Sequence, residues 1–143
     1  MFLVVTIFSF ALMALYSIML ISNRSYFVDA NYVELEQQAR NSLDRMMREV
    51  RGAIKSSISI TTVSATSDRL TFSKSGQSGI EYYLSGNQLI REYSGTAKVV
   101  ANNIGYLKFS LSGSLLTINL KAEKNFFQLL STPYKVQVRL RSG

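Results

Sequence analysis

The sequence predicts an α+β fold: a long N-terminal helix, half transmembrane or filament-core and half amphipathic, packed on an antiparallel β-sheet. Two observations predict the helix and a third predicts the sheet. Residues 1–21, MFLVVTIFSFALMALYSIMLI, carry no charge. Residues 29–51 contain neither Pro nor Gly and place apolar side chains at spacings of three and four. After Gly52 the apolar period falls to two. The chain thus divides into three segments: a transmembrane or filament-core helix over 1–22, an amphipathic continuation over 23–52, and an antiparallel β-domain over 53–143.

The first segment is long enough to span a bilayer. A helix rises about 1.5 Å per residue, and about 20 apolar residues cross the hydrocarbon core. Thr6, Ser9 and Ser17 are its only strongly polar side chains, and their hydroxyls can bond back to helix carbonyls. A cleaved secretory signal would open on basic residues, carry a shorter apolar core and close on a small-residue site, and this run does none of these. A core helix of a soluble protein would show a polar stripe, and this one is apolar all round. The membrane or assembly surface is expected to comprise Phe2, Val5, Ile7, Phe8, Phe10, Leu12, Leu15, Leu20 and Ile21.

Charge begins at Arg24, and from Asp29 the helix becomes amphipathic. Tyr32, Leu35, Ala39, Leu43, Met46, Met47, Val50 and Ile54 fall on one face. Of these, Leu35, Ala39, Leu43, Met46, Met47 and Val50 are expected to pack on the sheet. Glu36 with Arg40, and Asp44 with Arg48, are acid-first i,i+4 pairs, each adding only about 0.2–0.5 kcal/mol. Arg48 and Arg51 suit the negative pole of the helix dipole, and Gly52 is the first breaker. A helix continuous to Arg51 would be roughly 75 Å long. Ser, Asn and Asp compete for backbone bonds around Ser22–Ala30, so a kink or a melted turn is expected there.

Beyond Gly52, apolar and polar residues alternate in Ser57–Thr61, in Leu70–Ser73, in Ile80–Leu84, in Leu107–Leu111, in Leu116–Lys121 and in Lys135–Arg141. That is the pattern of a sheet covered on one side and wet on the other. Ser85-Gly86-Asn87 and Ser112-Gly113 read as tight turns, and Lys74–Gly79 as a looser loop. Pro133 is expected to open the last strand, where its missing N–H is tolerated. Asn125–Leu130 is apolar without a period and is expected to be a loop that packs inward.

The composition excludes several chemistries. The 143 residues include no Cys and no His, so there is no disulfide, no thiolate nucleophile and no imidazole base or ligand. Residues 1–51 balance five basic against five acidic groups, so the net charge of +7 lies wholly in residues 52–143. Their Lys and Arg are scattered singly, as on a solvated face, although a basic domain also attracts polyanions such as DNA. The acids of this part (Asp68, Glu81, Glu92 and Glu123) stand apart. Neither a catalytic constellation nor a calcium loop is expected, and no cofactor, metal or small-molecule substrate.

Two blocks carry a family resemblance. One is Ile7-Phe8-Ser9-Phe10-Ala11-Leu12. The other, more specific, is Gln38-Ala39-Arg40-Asn41-Ser42-Leu43-Asp44-Arg45-Met46-Met47-Arg48-Glu49-Val50-Arg51. Ile80–Leu84, Gly86–Arg91, Asn103-Ile104 and Leu107–Phe109 add weaker likeness. The chain resembles the type IV pilin superfamily, and within it the J-type minor pseudopilin of type II secretion and the W-type minor pilin of type IV pili.

That resemblance implies a non-enzymatic subunit of a type IV pilus or type II secretion filament. Its helix would lie in the bacterial inner membrane as a single pass before assembly and in the filament core afterwards. Its C-terminal domain would be extracytoplasmic, and its partners would be other pilin or pseudopilin subunits and inner-membrane lipid. Family precursors carry a basic leader ending in Gly and, soon after it, a Glu in the apolar run. Here no acid precedes Asp29, and aligning Ile7-Phe8 with the family puts that Glu just ahead of Met1. The expectation is that the true start lies upstream. The alternative is a single-span anchor carrying a binding domain that does not polymerise. A narrower variant is a DNA-uptake pilin whose basic domain touches DNA.

Overall fold

One helix, α1 (Phe2–Arg51), opens the computed structural model, which describes the backbone of residues 2–126 and 128–140 and the side chains of residues 4–27, 29–124, 129 and 131–140. The chain groups into two compact units, Met1–Glu34 and Leu35–Gly143. The helical assignment runs unbroken through residues 22–30, so the melted turn expected there does not occur. Just beyond that stretch, the Asn31 side-chain amide donates to the Phe27 carbonyl at 2.7 Å.

The second unit begins with residues 35–51 of α1. Arg48 and Arg51 close the helix, and Gly52 and Ala53 donate back to the Glu49 and Val50 carbonyls at 3.1 and 2.9 Å. The chain is then tied at once to the sheet, because Ile54 N–H donates to the Ser73 carbonyl at 2.8 Å. A 3-10 turn at Lys55–Ser57 comes next. Ser57, expected in a strand, lies in this turn, where its hydroxyl accepts from the Ser73 N–H at 2.8 Å.

Eight strands follow among the described residues: β1 (Ser59–Thr62), β2 (Asp68–Lys74), β3 (Gln77–Ser85), β4 (Gln88–Tyr93), β5 (Thr96–Ala101), β6 (Ile104–Ser112), β7 (Leu115–Phe126) and β8 (Gln128–Arg139). They build two antiparallel meanders rather than one sheet, β1-β2-β3-β4-β5 and β6-β7-β8. The sheets meet where Ser67 bridges Leu107 in parallel and Leu107 N–H donates to the Thr66 carbonyl at 3.0 Å.

Several sequence expectations need correction. Lys74–Gly79 is no loose loop: Ser75-Gly76 is a two-residue turn, and the φ of +77° at Gly76 suits a residue without Cβ. β5 has no counterpart among the expected strands. Its Thr-Ala-Lys-Val-Val-Ala sequence does not alternate, and the strand comes after a Ser94-Gly95 turn with both φ values positive. Pro133 lies inside β8, opposite Lys121, rather than at its start. β8 has a neighbour on one side only, which tolerates the missing donor. Asn125–Leu130 is not an inward loop, because Asn125 and Phe126 end β7 and residues 128–130 begin β8. Leu129 there is exposed, while the other side chains of that stretch, and that of Arg141, lie outside the described residues.

The core draws on every layer. Leu35, Ala39, Leu43, Met46 and Val50 come from the helix, Leu70, Phe72, Ile80 and Tyr82 from the first sheet, and Leu107, Leu116, Ile118, Leu120 and Val138 from the second. Each is buried. Phe72 and Tyr82 stack with ring centroids 6.2 Å apart and planes within 5°.

Candidate functional site

Two separate surfaces carry the sequence-predicted residues. On residues 4–21 of α1, Val5, Ile7, Phe8, Phe10, Leu12, Leu15, Leu20 and Ile21 are all exposed, between 45% and 72% of their full surface. The Phe2 side chain lies outside the described residues. Ser9 donates to the Val5 carbonyl at 2.8 Å and Ser17 to the Met13 carbonyl at 2.9 Å. The hydroxyls are thereby turned onto the helix, and the surface they leave is apolar on every side. Among the described residues this is the one helix long and apolar enough to cross a membrane, by length and composition.

Sequence reasoning passed over the aromatic pair just beyond this run. Tyr26 and Phe27 are exposed and meet edge to face, centroids 6.3 Å apart. Aromatic side chains beside a basic residue, here Arg24, are common at a membrane–water interface.

The second surface joins residues 35–51 to the sheets. Leu35, Ala39, Leu43, Met46 and Val50 are buried, and Met47 is half-buried. Tyr32 and Ile54, expected on the same stripe, are exposed. Ser42 is buried too, and its hydroxyl donates to the Ala39 carbonyl at 2.8 Å.

Glu49 holds this helix in place. It sits in the last turn, where the dipole disfavours an acid, and is compensated by the sheet. Arg91 Nε donates to its two carboxylate oxygens at 2.8 and 3.1 Å, and the Tyr82 hydroxyl donates at 2.8 Å. Burial works to raise the Glu49 carboxyl, but these hydrogen bonds and the Arg91 charge outweigh it and hold the carboxyl below its ordinary range. The same burial, with the Glu49 charge, pushes the Tyr82 phenol up.

Asp68 does for the two sheets what Glu49 does for the helix. It is 4% exposed. It accepts from Lys108 Nζ at 2.8 Å and from the Phe109 N–H at 3.1 Å, both on β6. Burial again acts to raise it, and these bonds, with one from Thr62, win and lower it. An acid with a lowered folded pKa stabilises the fold above its unfolded pKa of about 3.9 and loses that contribution as pH falls through the folded value. Asp68→Asn should therefore flatten the acid limb of the stability–pH curve. It should also cost about 3 kcal/mol at neutral pH, the lower end for a broken buried pair because Lys108 keeps 20% of its side-chain surface. Urea midpoints of the full chain in detergent micelles, taken from pH 7 to pH 3, check both.

Neither Glu49 nor Asp68 was singled out from sequence. An acid in a helix's last turn was the available sign for Glu49. Asp68 gave none, since its partner lies forty residues on. Among the described residues no three acids come together to hold a metal ion. Comparison with protein-family models, with curated proteins and with solved structures finds no match.

Proposed function

We propose that the chain is a minor pilin or pseudopilin, a non-enzymatic subunit that assembles through its N-terminal helix into a type IV pilus or type II secretion filament. The observation that carries this reading is one continuous helix with two unlike surfaces. Its residues 4–21 are apolar and exposed on every side, and its residues 35–50 are spent on holding a β-domain. A helix apolar all round needs either lipid or other helices around it, and assembly replaces the one with the other. The sequence resemblance over Gln38–Arg51 supports the same reading. The chain would rest in the bacterial inner membrane as a single pass with its C-terminal domain extracytoplasmic. Other pilin or pseudopilin subunits would be its partners.

The absence of native Cys makes the test clean. Single Cys substitutions at Leu12 and Leu15 are oxidised in cells that carry the candidate partner subunits with matching Cys. Disulfide-linked pairs through this segment are the expected result. A chain that stays monomeric in the membrane at every position would instead be a single-span anchor for a binding domain. Membrane residence has its own check. Leu12→Arg places a charge mid-span at a cost of about 2.5–3.5 kcal/mol, and should raise the alkali-extractable fraction above that of the parent chain.

A further inference from the structure

The second sheet ends at β8, which pairs with β7 along one edge and, among the described residues, with no strand along the other. It is the longest edge strand: β8 has 12 residues, against 9 in β6 at the other edge of its sheet and 4 in β1 and 6 in β5 at the edges of the first sheet. An open edge presents a row of N–H and C=O groups to any extended chain. Pro133 interrupts the row, which leaves residues 134–139 as its unbroken part.

The two faces of that part differ. Lys135, Gln137 and Arg139 are exposed on one side, while on the other Tyr134 and Val136 are half-buried and Val138 is buried. Among the described residues neither Lys135 nor Arg139 has an ion-pair partner. Beside the second face runs a groove of about 310 Å³ lined by Arg40, Leu43, Asp44, Met47, Tyr134 and Val136. Helix and strand therefore leave a slot next to an unpaired backbone, apolar at Leu43, Met47 and Val136 and charged at Arg40 and Asp44, with two cations on the opposite face.

We propose that residues 134–139 of β8 accept an extended segment of a partner protein as an added strand, with apolar side chains toward the groove and acidic side chains opposite Lys135 and Arg139. Main-chain hydrogen bonds would supply affinity, and the alternating side chains would supply choice. The period of two is what lets one segment satisfy both faces, since neighbours across a ladder lie about 4.5–5.5 Å apart. A second copy of β8 paired antiparallel about Gln137 would set Lys135 against Arg139, and like charges directly opposite repel. This edge belongs to residues 35–143, and it would serve a filament subunit or a plain anchor alike.

The probe is a fluorescein-labelled peptide of about seven residues alternating Glu and Val, long enough to match the open run, titrated by anisotropy into the full chain in detergent micelles. Saturable binding is expected, about tenfold or more tighter than that of a Lys/Val peptide. Methylating alternate backbone nitrogens of the probe should abolish it, because the ladder is lost while the charge stays. Lys135→Glu with Arg139→Glu, both on the exposed face, should reverse the preference between the two peptides. Absence of saturable binding overturns the proposal, and so does equal binding of the methylated probe. A chain that dimerises along β8 and is not dissociated by the probe would make a second copy the occupant, and that too overturns it.

Discussion

Phe72→Ala should cost about 3–5 kcal/mol, the largest loss expected of any single core truncation here. Phe72 has no exposed surface and stacks on Tyr82, itself wholly buried. Leu70 and Ile80, also fully buried, share its layer of the first sheet. Close-packed neighbours of this kind collapse only partly into a void, so the cavity adds to the lost transfer energy. The ring-on-ring contact, about 0.5–1.5 kcal/mol of its own, goes with it. Domains of this size are stable by only about 5–15 kcal/mol, so the variant should unfold at a much lower urea concentration with an unchanged slope. Phe72→Leu, which keeps most of the volume, should lose less than about 1.5 kcal/mol. Equal losses for the two variants would mean that the ring is not packed against Tyr82.

Glu49 gives the second large effect, and its sign depends on what replaces its partner. Glu49→Ala leaves the Arg91 guanidinium, 15% exposed, without its carboxylate, and leaves the buried Tyr82 hydroxyl without its acceptor. Breaking one side of such a pair costs about 3–5 kcal/mol, and about 3 is expected here because water reaches both side chains. Glu49→Leu combined with Arg91→Met and Tyr82→Phe removes every polar group of the cluster at once. Replacement of a whole buried ion pair by apolar groups is often neutral, so the triple variant should recover most of the loss. Losses that merely add would show three independent contacts rather than one network. The pH dependence has a fixed sign. Glu49 is lowered in the folded state, so its contribution is complete above its unfolded pKa of about 4.3 and fades as pH falls through the folded value. The triple variant should lose that acid sensitivity.

The helix was the most legible part of this chain, because periodicity is a local property. Its five buried contacts, from Leu35 to Val50, could be named from spacing alone. The stripe was drawn too long at both ends, at Tyr32 and Ile54, since spacing does not say where the sheet stops. Alternation found the strands that have one covered face. It missed β5, whose residues 96–99 are exposed and under no pressure to alternate. It misread Asn125–Leu130 for a related reason: an apolar run without a period gives no strand signature, even where the ladder continues. Division into two sheets was not legible, because nothing local says that β5 and β6 fail to pair. The Glu49–Arg91 contact spans 42 residues and the Asp68–Lys108 contact 40. Such pairs are fixed by three-dimensional register, which a one-dimensional pattern does not contain.

The two meanders bear on how the chain comes to be folded at all. Every ladder joins strands that are consecutive in sequence, so each hairpin can close over a short loop soon after its strands are made. The helix has no such local partner. Residues 35–50 leave the ribosome before any strand, and Glu49 must wait for Tyr82 and Arg91 to emerge. During that interval the nascent chain exposes a second sticky helix face behind its first. Retaining residues 4–21 in a bilayer while the rest is synthesised would keep those faces from finding each other in another copy.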